Sequence, residues 1–548
     1  MYYTSMSQGT RKPTAELGLL DATMIGMGAM IGAGIFVLTG LAAEISGPAA
    51  LLVFVLNGIV TAFTGLSYAE LAASIPKSGG GYAFVREIFD DRSSFLLGWM
   101  LWFAYMIAGA LYALGFAPNF IELLHVYGFT PKPGAVGAIA LPVISIDIPV
   151  QLGLAFVAVS LLVAVNAVST AASGSAETFF TITKVLILLI FILFGYLSVG
   201  GGEPTSFTLQ NFDPLFPDDS SALSILPAMG LTFIAFEGYD LITTVTEEVE
   251  NPRENIPKAI FLSLAATVII YALVVSVAIG TLGASGLAQA GEAGIAAAAT
   301  SFMPTGLPII KNGGAVIVFG AVFSTLTALN AVVIASSRVA FAMGREGQLI
   351  GSIGNLHHRF GTPFIAIIVS GAVMLFSVAL PTASAGNMSS LFFLLSFIIV
   401  NFSVIKLRRE RPDMTRPYTI PYYPAPPIIG IVLNVLLTGV LVWYLTQTDQ
   451  LALLLSVGWI ALGLLAYYGL NWLRSRSNPA PSSGGGGGGS TPDGPTSGSG
   501  SGSDPNSDPT PTSDPVDAAM TDSDSDPTLS RDTDTQDGPA HTGAQEEV

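Results

Sequence analysis

The chain has 548 residues, of which 51% are hydrophobic and only 11% are charged. Soluble domains carry about 25% charged residues, so this composition excludes a water-soluble globular protein of this size. The absence of cysteine excludes disulfides, thiolate metal sites and a cysteine nucleophile, and four histidines leave little for a metal site. We therefore expect no metal, no cofactor and no nucleic-acid partner.

The net charge of −17 is unevenly distributed along the chain. The C-terminal segment 477–548 carries −12, and the other 476 residues together carry −5. This segment is rich in Gly, Ser, Asp and Pro, so it cannot bury enough apolar surface to fold and is predicted to be a disordered acidic tail. An interaction or regulatory tail is the alternative. The low lysine content (7 Lys against 14 Arg) fits a high-salt cytoplasm, as in a halophilic archaeon.

Apolar stretches long enough to cross a bilayer recur along the chain, since a transmembrane helix needs about 20 apolar residues. They follow a polar N-terminal segment, 1–17, that shows no signal-peptide pattern. Twelve spans are predicted, near residues 18–46, 49–74, 94–124, 149–170, 176–200, 221–246, 257–283, 311–342, 362–382, 389–408, 427–446 and 451–473.

The Lys and Arg distribution predicts the orientation of these spans, because cytoplasmic loops are enriched in both residues. With the N-terminus inside, 17 Lys and Arg fall in inner segments, and only Lys132 and Lys311 fall in outer loops. We therefore expect a multi-pass protein of the plasma membrane with both termini in the cytoplasm.

The first span contains the run Gly26-Met-Gly-Ala-Met-Ile-Gly-Ala-Gly-Ile-Phe36. Each glycine in a helix interior costs about 1 kcal/mol relative to alanine. One interpretation is close helix packing through small residues four apart, here Gly28 and Gly32. The other is an unwound stretch at mid-membrane, where free amides and the following half-helix face an anion. The pattern alone does not decide between them.

The sixth span contains Phe236-Glu-Gly-Tyr-Asp240. Two carboxylates inside a membrane are costly unless they face a polar cavity, although Asp240 could simply anchor two helices by hydrogen bonds. The interrupted spans are the first and the sixth. This spacing is typical of an inverted repeat of five plus five helices whose discontinuous helices meet at the centre.

The run Gly28 to Phe36 resembles the first-helix signature of the amino acid–polyamine–organocation superfamily of permeases. Two further motifs resemble this family in the expected order, Phe236 to Asp240 with the following segment 247–260, and Ser336 to Gly347. The resemblance covers about residues 15–474. It implies an all-α integral membrane protein with the leucine-transporter-like fold, built from a first repeat (18–200), a second repeat (221–408) and two peripheral helices (427–473).

The resemblance also implies a substrate site made from the two breaks. In the family, amides of the first break hold the substrate carboxylate, carbonyls of both breaks hold its amine, and an aromatic residue of the sixth helix, here Phe236 or Tyr239, covers the site. Several relatives have a hydroxyl residue where this chain has Ala33, so only backbone contacts are expected there. The predicted substrate-binding residues are Met30, Gly32, Ala33, Gly34, Ile234, Phe236, Glu237 and Gly238.

Lys184 is the one basic residue that lies more than four residues from both ends of a predicted span. It could extend to the cytoplasmic edge as a snorkelling side chain. The resemblance implies a role in proton coupling instead, with the amine between the first break and the eighth-helix hydroxyls of Ser324 and Thr327. Burial disfavours the charged form of an amine, so such a lysine can load and release a proton. Asp240 matches a carboxylate that serves some family members as a proton sensor.

Together, these features predict a secondary transporter of amino acids and not an enzyme. Proton coupling or uniport is favoured over sodium symport, and Glu237 with Asp240 could favour cationic amino acids by charge pairing. Alternatives are an exchanger of polyamines and amino acids, or a membrane sensor that binds an amino acid without transport. The aromatic residues Trp99, Trp102 and Tyr105 of the third span are interpreted as packing residues rather than gates.

Overall fold

A computed structural model describes residues 17–77, 79–129, 138–141, 146–169, 174–199, 206–216, 222–304 and 313–477. The predicted N-terminal segment and acidic tail lie outside the described residues, apart from Leu17 and the end of the last helix, as do the outer-loop lysines 132 and 311.

The first half of the described chain contains seven α-helices and one short hairpin. Helices α1 and α2 divide the first predicted span in two, and a 3₁₀ turn, Gly47–Ala49, joins α2 to α3. The bounds are α1 Leu19–Met30, α2 Ala33–Ser46, α3 Ala50–Ser74, α4 Gly80–Ile88, α5 Asp91–Val126, β1 Ala138–Leu141, β2 Ile146–Pro149, α6 Val150–Val168 and α7 Gly174–Leu197.

The second half contains a short helix that ends in irregular backbone, followed by longer helices. The α-helical bounds are α8 Ile225–Thr232, α9 Pro252–Ala290, α10 Gly294–Phe302, α11 Gly314–Arg345, α12 Phe364–Ser377, α13 Thr382–Glu410, α14 Ala425–Thr448 and α15 Gln450–Ser477. The 3₁₀ segments are Leu209–Phe212, Ala222–Ser224, Phe233–Phe236, Leu241–Glu248, Gly291–Ala293 and Gly351–Gly354.

Within the described ranges, ten helical stretches are long and apolar enough to cross a membrane, by length and composition. One of them, Leu19–Ser74, contains the first two predicted spans, and the shorter apolar helix α12 corresponds to the ninth. The described protein is therefore a helical membrane protein with about ten to twelve apolar helices. The strands β1 and β2 pair as an antiparallel hairpin, which the all-α prediction does not include.

Burial divides the helices into a central and a peripheral group. The apolar stretch of α5 is wholly buried and packs against α11 and α13. By contrast, α15 exposes large side chains such as Leu454 and Leu465, at 68% and 71%. Apolar exposure on this scale is what a lipid-facing helix requires. The two halves of the first span, α1 and α2, both pack against α9 and lie at the centre of the bundle.

Candidate functional site

The first break separates α1 from α2 at Ile31 and Gly32. The backbone of Gly32 is non-helical (φ −113°, ψ −138°), and its amide donates back to the Met30 carbonyl oxygen at 2.7 Å. Helix α2 begins at Ala33 without a capping side chain. The first amides of α2, those of Ala33 and Gly34, therefore carry the partial positive charge of a helix N-terminus in a buried position.

Side chains from three other helices satisfy the carbonyls that this break leaves free. The Lys184 amine of α7 is fully buried and donates to the Gly28 carbonyl at 2.9 Å. The Ser324 hydroxyl of α11 donates to the Ile31 carbonyl, and the Tyr271 hydroxyl of α9 donates to the Met30 carbonyl. Each contact replaces a helical hydrogen bond that the unwound backbone cannot make.

The second break is longer. Helix α8 ends at Thr232, a 3₁₀ turn follows, and the backbone is extended at Glu237 before the 3₁₀ segment Leu241–Glu248. Gly238 has φ +141°, a conformation that L side chains rarely adopt. The hydroxyl of Ser390 in α13 accepts from the Ile234 amide at 3.1 Å, which fixes the start of the break.

Asp240 holds the turn of the second break in place. One of its carboxylate oxygens accepts from the Gly238 amide at 3.0 Å, and the other accepts from the Tyr105 hydroxyl of α5. This buried carboxylate therefore connects the unwound backbone of the second break to the neighbouring helix α5. The Asp240 side chain is 2% exposed.

The two breaks are in direct contact. A Cβ atom built on Gly34 would lie 2.6 Å from the Ala235 Cα, and one built on Gly238 would lie 2.6 Å from the Met30 amide nitrogen. Glycine at both positions allows the backbones to approach this closely. The Tyr271 hydroxyl also lies 3.0 Å from the Ala235 carbonyl oxygen, so one hydroxyl bridges the carbonyls of both breaks.

A small cavity, which we call the central cavity, lies beside the breaks. Both oxygens of Glu237 are buried there, and no described group hydrogen-bonds to either of them. The aromatic side chains of Phe236 and Tyr239 point elsewhere: Phe236 packs on Tyr271 and Phe54, and Tyr239 packs on Tyr68. The cavity is lined by Ala29, Tyr105, Ala108, Tyr112, Glu237, Gly238, Leu241, Ala328, Ala331, Val332 and Phe393.

The structure brings the two predicted breaks into contact, but of the predicted substrate-binding residues only Glu237 and Gly238 line the central cavity. Thr327 donates to the carbonyls of Phe323 and Ser324 in its own helix and does not reach the first break. Neither Phe236 nor Tyr239 lines the cavity, where the aromatic wall is formed by α5 and α13 instead.

Sequence reasoning missed Tyr112 and Tyr271, and it interpreted Tyr105 as a packing residue. Tyr105 follows Trp99 and Trp102 at a spacing of three residues, but those two tryptophans pack against Trp459 of α15, whereas Tyr105 bonds to Asp240. The one sequence signal that distinguishes these tyrosines from packing residues is a hydroxyl group on a helix that is otherwise apolar and buried.

The amino acid permease family matches residues 17–465 of the chain. The chain is 29% identical over 474 residues to the branched-chain amino acid permease BcaP of Bacillus subtilis, covering 84% of this chain and 94% of the relative. It is 29% identical to the methylthioribose transporter (85% and 95% covered) and 27% identical to the serine/threonine exchanger SteT (83% and 97% covered) of the same organism.

A multi-pass helical bundle with two interrupted helices at its centre is the architecture of a transporter. The chain belongs to the amino acid permease family of the amino acid–polyamine–organocation superfamily. Its function is therefore the transport of amino acids across a membrane, and it is a transporter and not an enzyme. The predictions of a membrane permease and of amino acid transport are confirmed.

Proposed function

We propose that this permease is a secondary transporter that binds an amino acid between its two helix breaks and moves it by alternating access. The observation that carries the proposal is the direct contact of the breaks, at Gly34 against Ala235 and at Gly238 against Met30. Two interrupted helices that meet inside a bundle expose free amide donors and free carbonyl acceptors close together. A zwitterion is the ligand that such an arrangement fits.

The amides of Ala33 and Gly34 would bind the substrate carboxylate, because they start α2 without a cap. Carbonyls of both breaks, with those of Met30, Ile234 and Glu237 foremost, would bind its ammonium group. The Met30 carbonyl accepts from the Tyr271 hydroxyl in this structure. The tyrosine would therefore donate less to this carbonyl when an ammonium group competes for it.

Lys184 would couple transport to a proton. Its amine is fully buried and is hydrogen-bonded to the Gly28 carbonyl, which supports a position beside the first break rather than at a membrane edge. Protonation would strengthen this bond, because charge-assisted hydrogen bonds are about twice as strong as neutral ones. A proton on Lys184 would then favour one arrangement of α1 over another.

Glu237 supports a preference for cationic amino acids. It is the one carboxylate that lines the central cavity among the described residues, and its oxygens have no protein partner. A guanidinium or ammonium side chain would supply that partner, since a buried carboxylate without one is costly. Asp240 is already engaged by Gly238 and Tyr105, so we propose for it the positioning of the second break alongside any proton sensing.

The finer architecture is also a proposal. The order of the described helices supports twelve spans in two inverted five-helix repeats, with α14 and α15 as the peripheral pair. The chain has no cysteine, so single-cysteine variants can report the side of the membrane. With both termini in the cytoplasm, Glu254→Cys should react only from the inside and Gln210→Cys only from the outside. The reverse pattern would contradict the orientation.

Uptake into proteoliposomes tests the function directly. Radiolabelled leucine, serine, arginine and methylthioribose are offered under separate proton and sodium gradients. We expect amino acid uptake driven by an inward proton gradient, with arginine taken up fastest and at least tenfold slower in Glu237→Gln. Uptake driven by sodium would contradict proton coupling. Arginine uptake that is unchanged in Glu237→Gln would contradict the preference for cationic amino acids.

The alternatives give different results in the same vesicles. An exchanger needs amino acid inside the vesicle, so uptake that occurs only after preloading would favour exchange. A sensor would bind without uptake. Removal of 477–548 should leave uptake unchanged, because the proposed site and coupling residues lie between Met30 and Thr327.

A further inference from the structure

A second, larger cavity adjoins the central one. It has a volume of about 100 Å³, opens to the surface and is lined at one end by Leu17. Three residues, Ala29, Leu241 and Ala331, line both cavities, so the two adjoin across the second break. We call this larger cavity the vestibule. A ligand that leaves the central site towards Leu17 must pass through it.

The vestibule wall carries charges of both signs. Arg338 of α11 contributes a guanidinium group, Glu177 of α7 contributes a carboxylate, and Glu248 at the end of the second break contributes another. All three side chains are partly buried. In the described part of the chain, none of these side chains forms an ion pair within 4.0 Å or a hydrogen bond. Unpaired charges on the wall of a concave site are unfavourable until a ligand pairs with them.

The carboxylates hold different positions in the wall. Glu248 interacts electrostatically with Arg338 and offsets part of its charge. Glu177 lies against α1, where its Oε1 atom is 2.9 Å from the position that a Cβ on Gly28 would occupy, and it interacts electrostatically with Lys184 of the same helix. The vestibule therefore presents one cationic group and a separate anionic group close to α1. This is the charge pattern that a zwitterion requires.

We propose that the vestibule is a second and weaker binding site for the transported amino acid. Arg338 binds the α-carboxylate, for which a guanidinium group is suited by its paired donors, and Glu177 binds the α-ammonium group. Binding is weaker than at the central site because the vestibule is open to water, which screens the charges. The inference rests on the proposed central site only in that the same amino acid occupies both.

Equilibrium binding to the purified full-length protein tests the proposal. The probe is whichever of radiolabelled leucine, serine or arginine the wild type takes up. We expect two binding phases in the wild type. Arg338→Ala should keep the tight phase and weaken the other at least tenfold, and Glu177→Gln should act in the same direction. Arg338→Lys, which keeps the charge without the paired donors, should weaken it several-fold.

Two controls separate this site from the central one. Arg345→Ala, at an exposed position of the same helix, should keep both phases. Gly34→Leu should remove the tight phase and keep the weak one. A weak phase that persists in both Arg338→Ala and Glu177→Gln, in protein with the thermal stability of the wild type, would overturn the vestibule site. Retention of the tight phase in Gly34→Leu would contradict the central site instead.

Discussion

The two helix breaks differ in how their backbone groups are satisfied. The first break is short, and its carbonyls depend on Lys184, Ser324 and Tyr271, which belong to three distant helices. The second break is long, and many of its carbonyls accept from hydroxyls of the same segment. Thr243, Thr244 and Thr246 each donate to a carbonyl three residues earlier.

This difference indicates which break responds to the rest of the bundle. A shift of α7 or α11 changes the hydrogen bonds of the first break, and a shift of α9 changes the Tyr271 bonds of both breaks. The threonine bonds of the second break move with their own backbone. The first break is therefore the better position for coupling a proton to a conformational change. The second is the more rigid frame, and it contributes the carboxylate of Glu237 to the cavity.

The largest effect is expected where the two breaks touch. Gly34→Leu places a side chain against the Ala235 backbone, with even the Cβ atom only 2.6 Å from its Cα. The breaks must separate, so we expect uptake and substrate binding to fall more than 100-fold. The measurement is radiolabel uptake in proteoliposomes. Gly439→Leu is the control, because a Cβ there meets no atom within 4 Å. Wild-type uptake in Gly34→Leu would contradict the assignment.

The next effect concerns the first break and its lysine. Lys184→Ala removes the donor to the Gly28 carbonyl and the group that would carry the proton. We expect wild-type uptake to rise as the external pH falls, and uptake by the variant to be at least tenfold slower and independent of pH. Lys258→Ala, at an exposed position paired with Glu254, should keep the wild-type profile. An unchanged pH profile in Lys184→Ala would exclude this lysine from coupling.

A smaller effect is expected from the hydroxyl that bridges the breaks. Tyr271→Phe leaves the Met30 and Ala235 carbonyls without this donor. Loss of a buried partner costs about 1–3 kcal/mol, and about 1.4 kcal/mol, near the lower end of this range, corresponds to a tenfold change in affinity. We expect substrate binding to weaken about tenfold in an equilibrium binding assay. Tyr468→Phe on the exposed face of α15 should bind as the wild type does, and equal binding by both variants would argue against a bridging role.

The smallest effect is expected from the loss of a local hydrogen bond in the second break. Thr243→Val removes the hydroxyl that donates to the Asp240 carbonyl at 2.6 Å, worth about 1 kcal/mol. Thr438→Val on α14 removes a similar local bond, 2.7 Å to the Asn434 carbonyl, away from the site. Both should lower the thermal midpoint slightly, with binding reduced a few-fold only in Thr243→Val. If Thr243→Val reduced binding as strongly as Tyr271→Phe does, the result would contradict the proposed difference between the two breaks.

Much of the predicted site followed from local composition. The glycine run 26–34 offered the first break as one of two interpretations, and the carboxylates at Glu237 and Asp240 did the same for the second, because both patterns are costly in a continuous membrane helix. The family resemblance, not the position of Lys184 on its span, implied that this lysine lies beside the first break. The predicted role of Thr327 did not correspond to the structure, because its hydroxyl is satisfied by its own helix. The twelve-span count, the orientation and the high-salt origin stay predictions.

The sequence alone determined the membrane class and the approximate spans, because hydropathy acts over a few consecutive residues. Its glycine and carboxylate patterns left each interruption open beside a packing interpretation. Only the tertiary structure decided that Tyr105 and Tyr112 line the cavity beside the breaks and that Phe236 and Tyr239 do not. It also placed the Tyr271 hydroxyl between the carbonyls of both breaks. It also decided that Arg338 and Glu177, which are 161 positions apart in the chain, line one cavity. Such groupings depend on how helices pack side by side, and in an apolar chain nearly every helix face satisfies the same hydropathy pattern.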